Sequence, residues 1–144
     1  MAEEYPIPVF HFRVEWGGTR IGFTEVSGLN IENQVIEYRE GNSNDYSPKK
    51  MPGMRKYPNI TMKRGIFNDD NDYYKWLDEI KLNQVTRRQV TISLLDEEHS
   101  PVVTWSVKNA IPVKVDGPSL KSTENGFAIE SLEIAHEGLK VENG

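Results

Sequence analysis

The stretch RQVTISLLDEEHSPVVTWSVKNAIPVKV, residues 88–115, contains two runs rich in apolar and β-branched residues, separated by a short polar segment. Such runs are typical of β-strands. The polar segment EEHS, residues 97–100, has the length that usually joins two antiparallel strands. We therefore predict a hairpin formed by residues 88–96 and 101–115, with a bend near Pro112 in the second strand.

Further runs along the chain also have strand character. In VFHFRVEW, residues 9–16, every second residue is apolar, as in a half-buried strand. Gly17-Gly18 then favours a hairpin turn. Three more runs predict strands: residues 21–26, 31–38 and 59–65. A final strand or strand pair is expected between residues 127 and 141, where the apolar positions change parity and so predict a β-bulge.

One segment has the periodicity of a helix. Four apolar residues at helical spacing follow the acidic stretch 68–70, namely Tyr73, Trp76, Leu77 and Ile80. Their spacing favours core packing over base stacking. With about seven strands, one helix and no internal repeat, the chain is expected to form a single mainly β domain over residues 1–144, a barrel or a sandwich with one helix packed on it.

Residues 41–58, GNSNDYSPKKMPGMRKYP, are polar, contain three prolines and have little periodicity. Loops of this length in compact domains are usually functional or disordered. We predict a long exposed loop here.

Composition argues against several functions. The chain has no cysteine, which excludes disulfides, thiolate zinc sites and thiol nucleophiles. No nucleophile elbow, catalytic triad spacing or paired carboxylates are visible. We therefore expect neither an enzyme nor a cofactor. The first ten residues do not show the basic and apolar run of a signal peptide, so we expect none, and no apolar run is long enough to span a membrane.

The segment ESLEIAHEGL, residues 130–139, raises the question of a metal site, because Glu130, Glu133 and His136 lie close together in sequence. Leu132 and Ile134 alternate with Glu133, which indicates a strand. On a strand, Glu133 and His136 point to opposite faces. We therefore expect no metal site and interpret His136 as a solvent-facing or interface residue.

Charge is distributed unevenly, although the net charge is only −5. Six basic residues occur between positions 49 and 64: Lys49, Lys50, Arg55, Lys56, Lys63 and Arg64. Five acidic residues dominate the last part of the chain: Glu124, Glu130, Glu133, Glu137 and Glu142. Two interpretations remain open, two solvated faces or head-to-tail association in which a basic loop meets an acidic surface of the next copy.

The chain resembles a known family along nearly its whole length. The segments that carry the resemblance are GFTEVSGL (22–29), IEYREGN (36–42), MPGMRKYPNITMKRG (51–65), VTISLLDEE (90–98), VVTWSVKNAIPVKVDGPSL (102–120) and AIESLEIAHEGL (128–139), together with a helix ending in Trp76-Leu77. They resemble the tail tube proteins of contractile phages, a family that includes the inner tube proteins of phage-tail-like contractile injection systems.

The resemblance implies a fold like that of the haemolysin-coregulated tube proteins of type VI secretion, a β-barrel of two packed antiparallel sheets with one flanking helix. It implies a structural subunit whose hexameric rings stack into a hollow conduit, driven through a target envelope when a sheath contracts. By position, the loop supplies inter-subunit contacts through Lys49, Lys50, Met51, Arg55, Lys56 and Tyr57. A second contact region comprises His136, Glu137 and Leu139.

The resemblance also implies partners and a location. The partners are further copies of the chain, a sheath protein, baseplate or spike and tube-terminating proteins, and a possible cargo in the lumen, without membrane insertion or specific nucleic-acid binding. Synthesis and assembly are expected in the bacterial cytoplasm, as part of a particle that can be released. The alternative is a β-barrel module that binds single-stranded nucleic acid, with the basic loop and Tyr46, Tyr57 and Phe67 as a stacking surface.

Overall fold

A computed structural model gives the fold and describes residues 7–9, 11–17, 22–42, 48–68, 70–80, 84, 86–123 and 125–143. This part of the chain forms nine strands and one helix. In chain order they are β1 Phe12–Glu15, β2 Glu25–Ser27, β3 Glu32–Tyr38, β4 Lys49–Lys56, β5 Ile60–Gly65, α1 Asp72–Asp78, β6 Arg88–Leu95, β7 Pro101–Asp116, β8 Ile129–Ala135 and β9 Gly138–Asn143. Antiparallel β-structure with a flanking helix is the predicted class, which is confirmed.

Strand β7 is shared by two antiparallel sheets. Its first part lies between β6 and β9, and β1 extends that sheet beyond β6. Its second part pairs with β8, followed by β5 and β2. The change of partners falls after Ala110, and the register with β8 shifts between Pro112 and Lys114. The predicted hairpin of residues 88–115 is therefore confirmed, and the irregularity lies where the bend was predicted.

The core lies between the two sheets and is closed by α1. Tyr73 and Trp76 are fully buried on the inner face of the helix, and their rings lie 5.0 and 6.0 Å from that of Trp16, which follows β1. The Tyr73 hydroxyl donates a hydrogen bond to the Met62 carbonyl at 3.2 Å. The predicted helix face is thus confirmed for these aromatic residues, whereas Ile80 lies beyond the helix end and is exposed.

Two local predictions are wrong. The predicted hairpin at Gly17-Gly18 is wrong for the flanking strands, because β1 pairs with β6 and β2 pairs with β5; Gly18 itself lies outside the described residues. Strand β8 has no bulge against β5. Its buried positions are Glu130, Leu132 and Ile134, so the alternation is continuous once Glu130 is recognised as an inward-facing residue. The extra residue lies in β7, near Val113.

The prediction of an irregular loop over 41–58 is also wrong in part. Residues Lys49–Lys56 form β4, which pairs with β3 over the register Glu32↔Lys56 to Tyr38↔Lys49. Residues 43–47 lie outside the described residues. Periodicity fails here because both faces of this ribbon are exposed to solvent, so no face is required to be apolar.

The helix is short. In the part of the chain that the structure describes, no helix is long and apolar enough to cross a membrane.

Candidate assembly surfaces

We name the β3–β4 ribbon the arm. Its two strands form a sheet of their own, and every residue of β3 is exposed. A ribbon of two strands has no core and is marginally stable alone. The arm therefore extends from the body as an exposed segment.

Close backbone packing holds the root of the arm. Gly28, just before β3, has a φ of +91°, and a Cβ at this position would lie 2.3 Å from the Asn59 carbonyl oxygen. A side chain would therefore collide with the backbone that leaves β4. Only glycine allows the incoming and outgoing segments to approach this closely. The sequence places Gly28 next to Ser27, the last residue of β2, so the arm begins at a fixed point of the body.

The arm exposes apolar side chains as well as charges. Five large apolar residues of the ribbon are more than half exposed: Val35, Ile36, Tyr38, Met51 and Met54. Ile36 and Met51 are directly opposite each other across the two strands, so they lie on the same face. Single exposed apolar residues are ordinary, but a cluster on a projecting ribbon indicates an interaction surface.

The predicted basic residues of the arm lie on β4 and are exposed. Lys50 is opposite Glu37 and Lys56 is opposite Glu32, so these two have acidic cross-strand neighbours. Lys49 is opposite Tyr38, and the Arg55 Nε donates a hydrogen bond to Asn33 Oδ1 at 3.3 Å. Lys49 and Arg55 are therefore the arm cations without an acidic residue opposite them.

The remaining two basic residues of the predicted cluster do not belong to this surface. Lys63 pairs with Glu25 at 3.0 Å on the outer side of β5. Arg64 is buried, with its Nε 3.0 Å from Glu130 Oε1 and its two terminal nitrogens 3.1 Å from the carboxylate oxygens of Asp70. Arg64 and Glu130, assigned to opposite charged regions from the sequence, are thus partners in the core. The two-region interpretation of charge is wrong for this pair.

The second predicted contact region lies at the root of the arm. His136, between β8 and β9, has Nε2 3.1 Å from the Pro58 carbonyl and Nδ1 3.2 Å from the Gly138 carbonyl. Its ring lies 5.5 Å from that of Tyr57. His136 therefore links the segment that follows the arm to the β8–β9 turn.

Glu137 and Leu139 have different environments. The Glu137 carboxylate accepts a hydrogen bond from Asn109 Nδ2 at 2.7 Å and lies 3.3 Å from an Arg87 terminal nitrogen, and about half of this side chain is exposed. Leu139 is 7% exposed and belongs to the core. This burial argues against a contact role for the Leu139 side chain, because it packs inward from β9.

The two predicted regions meet at one cleft, which we name the junction cleft. It has a volume of about 500 Å³ and is lined from three directions: Tyr57 at the root of the arm, Lys108 and Asn109 on β7, and the turn at Glu137 and Gly138. The sequence predicted these two regions separately. Their adjacency depends on the pairing of β7 with β9, which no local pattern reveals.

The described residues contain no group of three or more histidine, cysteine, aspartate or glutamate side chains that could hold a metal ion. The proposed base-stacking surface is also not assembled. Tyr57 precedes β5 and Phe67 follows it, so they lie at opposite ends of that strand, and Tyr46 is outside the described residues. Residues this far apart cannot stack successive bases.

Comparison with known proteins identifies the family. The model of the T4-like virus tail tube protein gp19 family matches residues 8–140. The chain belongs to this family. It is a structural tube subunit and not an enzyme, as the sequence predicted, and nothing in these comparisons supports the nucleic-acid-binding alternative.

Solved structures agree with this assignment. A chain in the sheath–tube complex of the PVC extracellular contractile injection system, in its extended state, is 37% identical with a TM-score of 0.89, covering 98% of this chain and 94% of that one. A chain in the structure of the anti-feeding prophage cap is also 37% identical, with a TM-score of 0.89 and coverage of 100% and 95%. Hcp1 from Flavobacterium johnsoniae, at 10% identity and a TM-score of 0.58 over 94% and 97% of the two chains, shares the fold. No curated protein matches the chain significantly.

Proposed function

We propose that six copies of the chain close into a ring, that the rings stack into a hollow tube, and that the arm supplies contacts between copies. The observation that carries this proposal is the arm itself. It is a two-stranded ribbon outside the sandwich with exposed apolar residues on both strands. A ribbon of this kind gains stability when a neighbour covers it.

The contact is proposed to be heterologous, with different surfaces of two copies meeting. Each copy has one arm. If each copy also receives the arm of a neighbour, the arm must bind a surface other than a second arm. Repeated heterologous contacts produce rings if they close and filaments if they do not. A tube of stacked rings needs both kinds of contact, one that closes each ring and one that continues from ring to ring.

The proposed particle is a phage-tail-like contractile injection system. The similar solved chains come from a sheath–tube complex, a tube-terminating cap and a sheath–tube terminator. Accordingly, we propose that this tube contacts a sheath on its outer surface and a terminator and baseplate at its ends. The tube acts as a conduit, with cargo in its lumen as an optional load, and it is made in the cytoplasm before the particle is released.

The arm proposal is tested by replacing Ile36 and Met51 with serine. These side chains are 55% and 58% exposed. Fully burying a side chain of this size contributes about 1.5–3 kcal/mol, so roughly half of that remains to be gained by each on assembly. The double variant should therefore weaken each arm contact by about 1.5–3 kcal/mol, or about 10- to 150-fold.

Sedimentation velocity over a concentration series measures this shift. Val9→Ser is the matched control, because Val9 is 81% exposed and lies outside the arm. The proposal predicts that the control assembles like the parent, whereas I36S/M51S requires much higher concentrations. Equal assembly of all three proteins would show that the arm is not an assembly contact.

A further inference from the structure

Exposed apolar residues also gather at the end of the body that is opposite the root of the arm. We name four of them the far-end cluster: Ile66, Phe67, Leu120 and Phe127. Leu120 and Phe127 are 85% and 95% exposed, the highest values among the large apolar residues of the described chain. A cluster of side chains this accessible, unlike single exposed apolar residues, indicates an interaction surface.

The far-end cluster is one surface. The Ile66 amide donates a hydrogen bond to the Ala128 carbonyl at 3.0 Å, which joins the segment after β5 to Phe127. Leu120 and Phe127 line the same open cleft of about 400 Å³, formed by the segment between β7 and β8. Tyr74 of α1 borders this end, since a Cβ on Gly117 would lie 3.6 Å from its hydroxyl.

The strand register fixes where this surface lies relative to the arm. Ser27 and Ile60, at the root of the arm, are at one end of the β2–β5–β8 ladder. Gly65, Ile129 and Asp116 are at the other end. Ile60 and Gly65 are five residue steps apart along β5, which corresponds to about 17 Å. The arm and the far-end cluster therefore project from opposite ends of the same sheet.

Apolar side chains, rather than charges, carry the fit between the two surfaces. The described strands of the arm have an excess of two positive charges. At the far end, Asp116 lies 3.4 Å from the Lys114 Nζ, and Lys121 lines the same cleft as Leu120 and Phe127, so no net negative surface faces the arm. Both surfaces are clusters of exposed apolar residues, and such clusters mark sites of protein contact.

We infer that the far-end cluster is the receptor for the arm of a second copy of this chain, located in the adjacent ring. This inference rests on the proposed function and assigns a specific surface to it. Because the arm leaves one end of the body and its receptor lies at the other, each copy can bind one neighbour and be bound by another. The contact repeats in one direction and so stacks subunits head to tail.

Crosslinking tests the inference directly, because the chain has no cysteine of its own. The variant carries Met51→Cys in the arm and Phe127→Cys in the far-end cluster, and is treated with a short bismaleimide. Both positions are exposed, so the fold should tolerate the changes. A link between different surfaces propagates from copy to copy, so denaturing gels should show a ladder of dimers, trimers and larger species.

Three controls give the ladder its meaning. Each single-cysteine variant can form nothing larger than a dimer. A mixture of the two single variants, one of them carrying a mass tag, should give mixed dimers. The pair Met51→Cys with Val9→Cys places the second thiol on an equally accessible residue outside the cluster and should give no ladder.

The outcomes separate the inference from the proposed function. Rings or tubes in electron micrographs, with no crosslinked species beyond the dimer, would overturn the receptor and leave the tube subunit intact. A protein that stays monomeric in sedimentation and gives no ladder would overturn both. A ladder from the Met51–Phe127 pair alone supports the receptor.

Discussion

Replacing Arg64 with methionine tests how the buried charges hold the sandwich to its helix. Arg64 is 1% exposed and contacts Glu130 on β8 and Asp70 just before α1, at 3.0 to 3.1 Å. Its guanidinium also lies 4.1 Å from the Tyr73 ring centre. One side chain thus connects β5, β8 and the start of α1. Methionine fills much of the volume but removes the guanidinium that pairs with the buried carboxylates of Glu130 and Asp70.

The expected loss of stability follows from that imbalance. Removing one partner of a buried ion pair usually costs about 3–5 kcal/mol, because the remaining charge is neither hydrated nor paired. That is a large part of the total stability of a domain, about 5–15 kcal/mol. The neighbouring Lys63 provides the matched control. Its ion pair with Glu25 is about half exposed, so Lys63→Met should cost no more than about 1 kcal/mol.

Urea unfolding followed by tryptophan fluorescence measures both values, since the buried Trp16 ring lies 5.3 Å from the Arg64 guanidinium and the buried Trp76 packs against Trp16. The measurements are made at concentrations where the protein is monomeric. Adding Glu130→Leu to Arg64→Met should recover part of the loss, because it removes one uncompensated carboxylate. If the free energies of unfolding of Arg64→Met and Lys63→Met differ by less than about 1 kcal/mol, the buried cluster does not have the role described.

Three further predictions concern the arm, its root and the core. Lys49→Glu/Arg55→Glu reverses the two arm cations without an acidic residue opposite them, so it should weaken assembly measured by sedimentation, more strongly at low salt than at high salt; an equal effect at both salt concentrations would contradict an electrostatic contribution. Gly28→Ala should lower the denaturation midpoint by more than the exposed control Gly22→Ala, because its Cβ would collide with the Asn59 carbonyl; equal midpoints would refute the tight root. Burial, reinforced by Glu130 and Asp70 and opposed by Arg64, raises the pKa of Tyr73 well above its ordinary value. Above about pH 10 the unfolded state therefore loses this proton while the folded state keeps it. The free energy of unfolding should then fall as the pH rises, by up to about 1.4 kcal/mol per pH unit. Tyr73→Phe should make this alkaline decline shallower in urea unfolding.

Residues 88–115 and the helix could be predicted because their patterns are local. The β6–β7 hairpin joins neighbouring segments through a short turn, and Tyr73 and Trp76 mark the buried face of α1. The pairing of β1 with β6 could not be predicted from Gly17-Gly18, because that contact spans most of the chain. Nothing in the sequence near a strand specifies a partner that distant.

The candidate surfaces show the same limit. The sequence shows the basic residues of β4 but predicts a loop there, because an exposed ribbon needs no apolar face. The sequence does not show that Arg64 and Glu130 are buried, since a buried ion pair has the same local sequence as an exposed one. The far-end cluster is not predicted from the sequence. Its signal is two large apolar residues, Leu120 and Phe127, in a polar connection where no core position requires them.

Negative-stain electron microscopy of the purified protein over a concentration series tests the central claim most directly. Class averages should show six-fold rings at the lowest concentrations that give assemblies, and stacked hollow tubes at higher concentrations. The I36S/M51S arm variant should give fewer assemblies at every concentration, whereas V9S should match the parent. Parent particles that remain single subunits throughout, or that form rings without six-fold symmetry, would contradict the proposed hexameric tube.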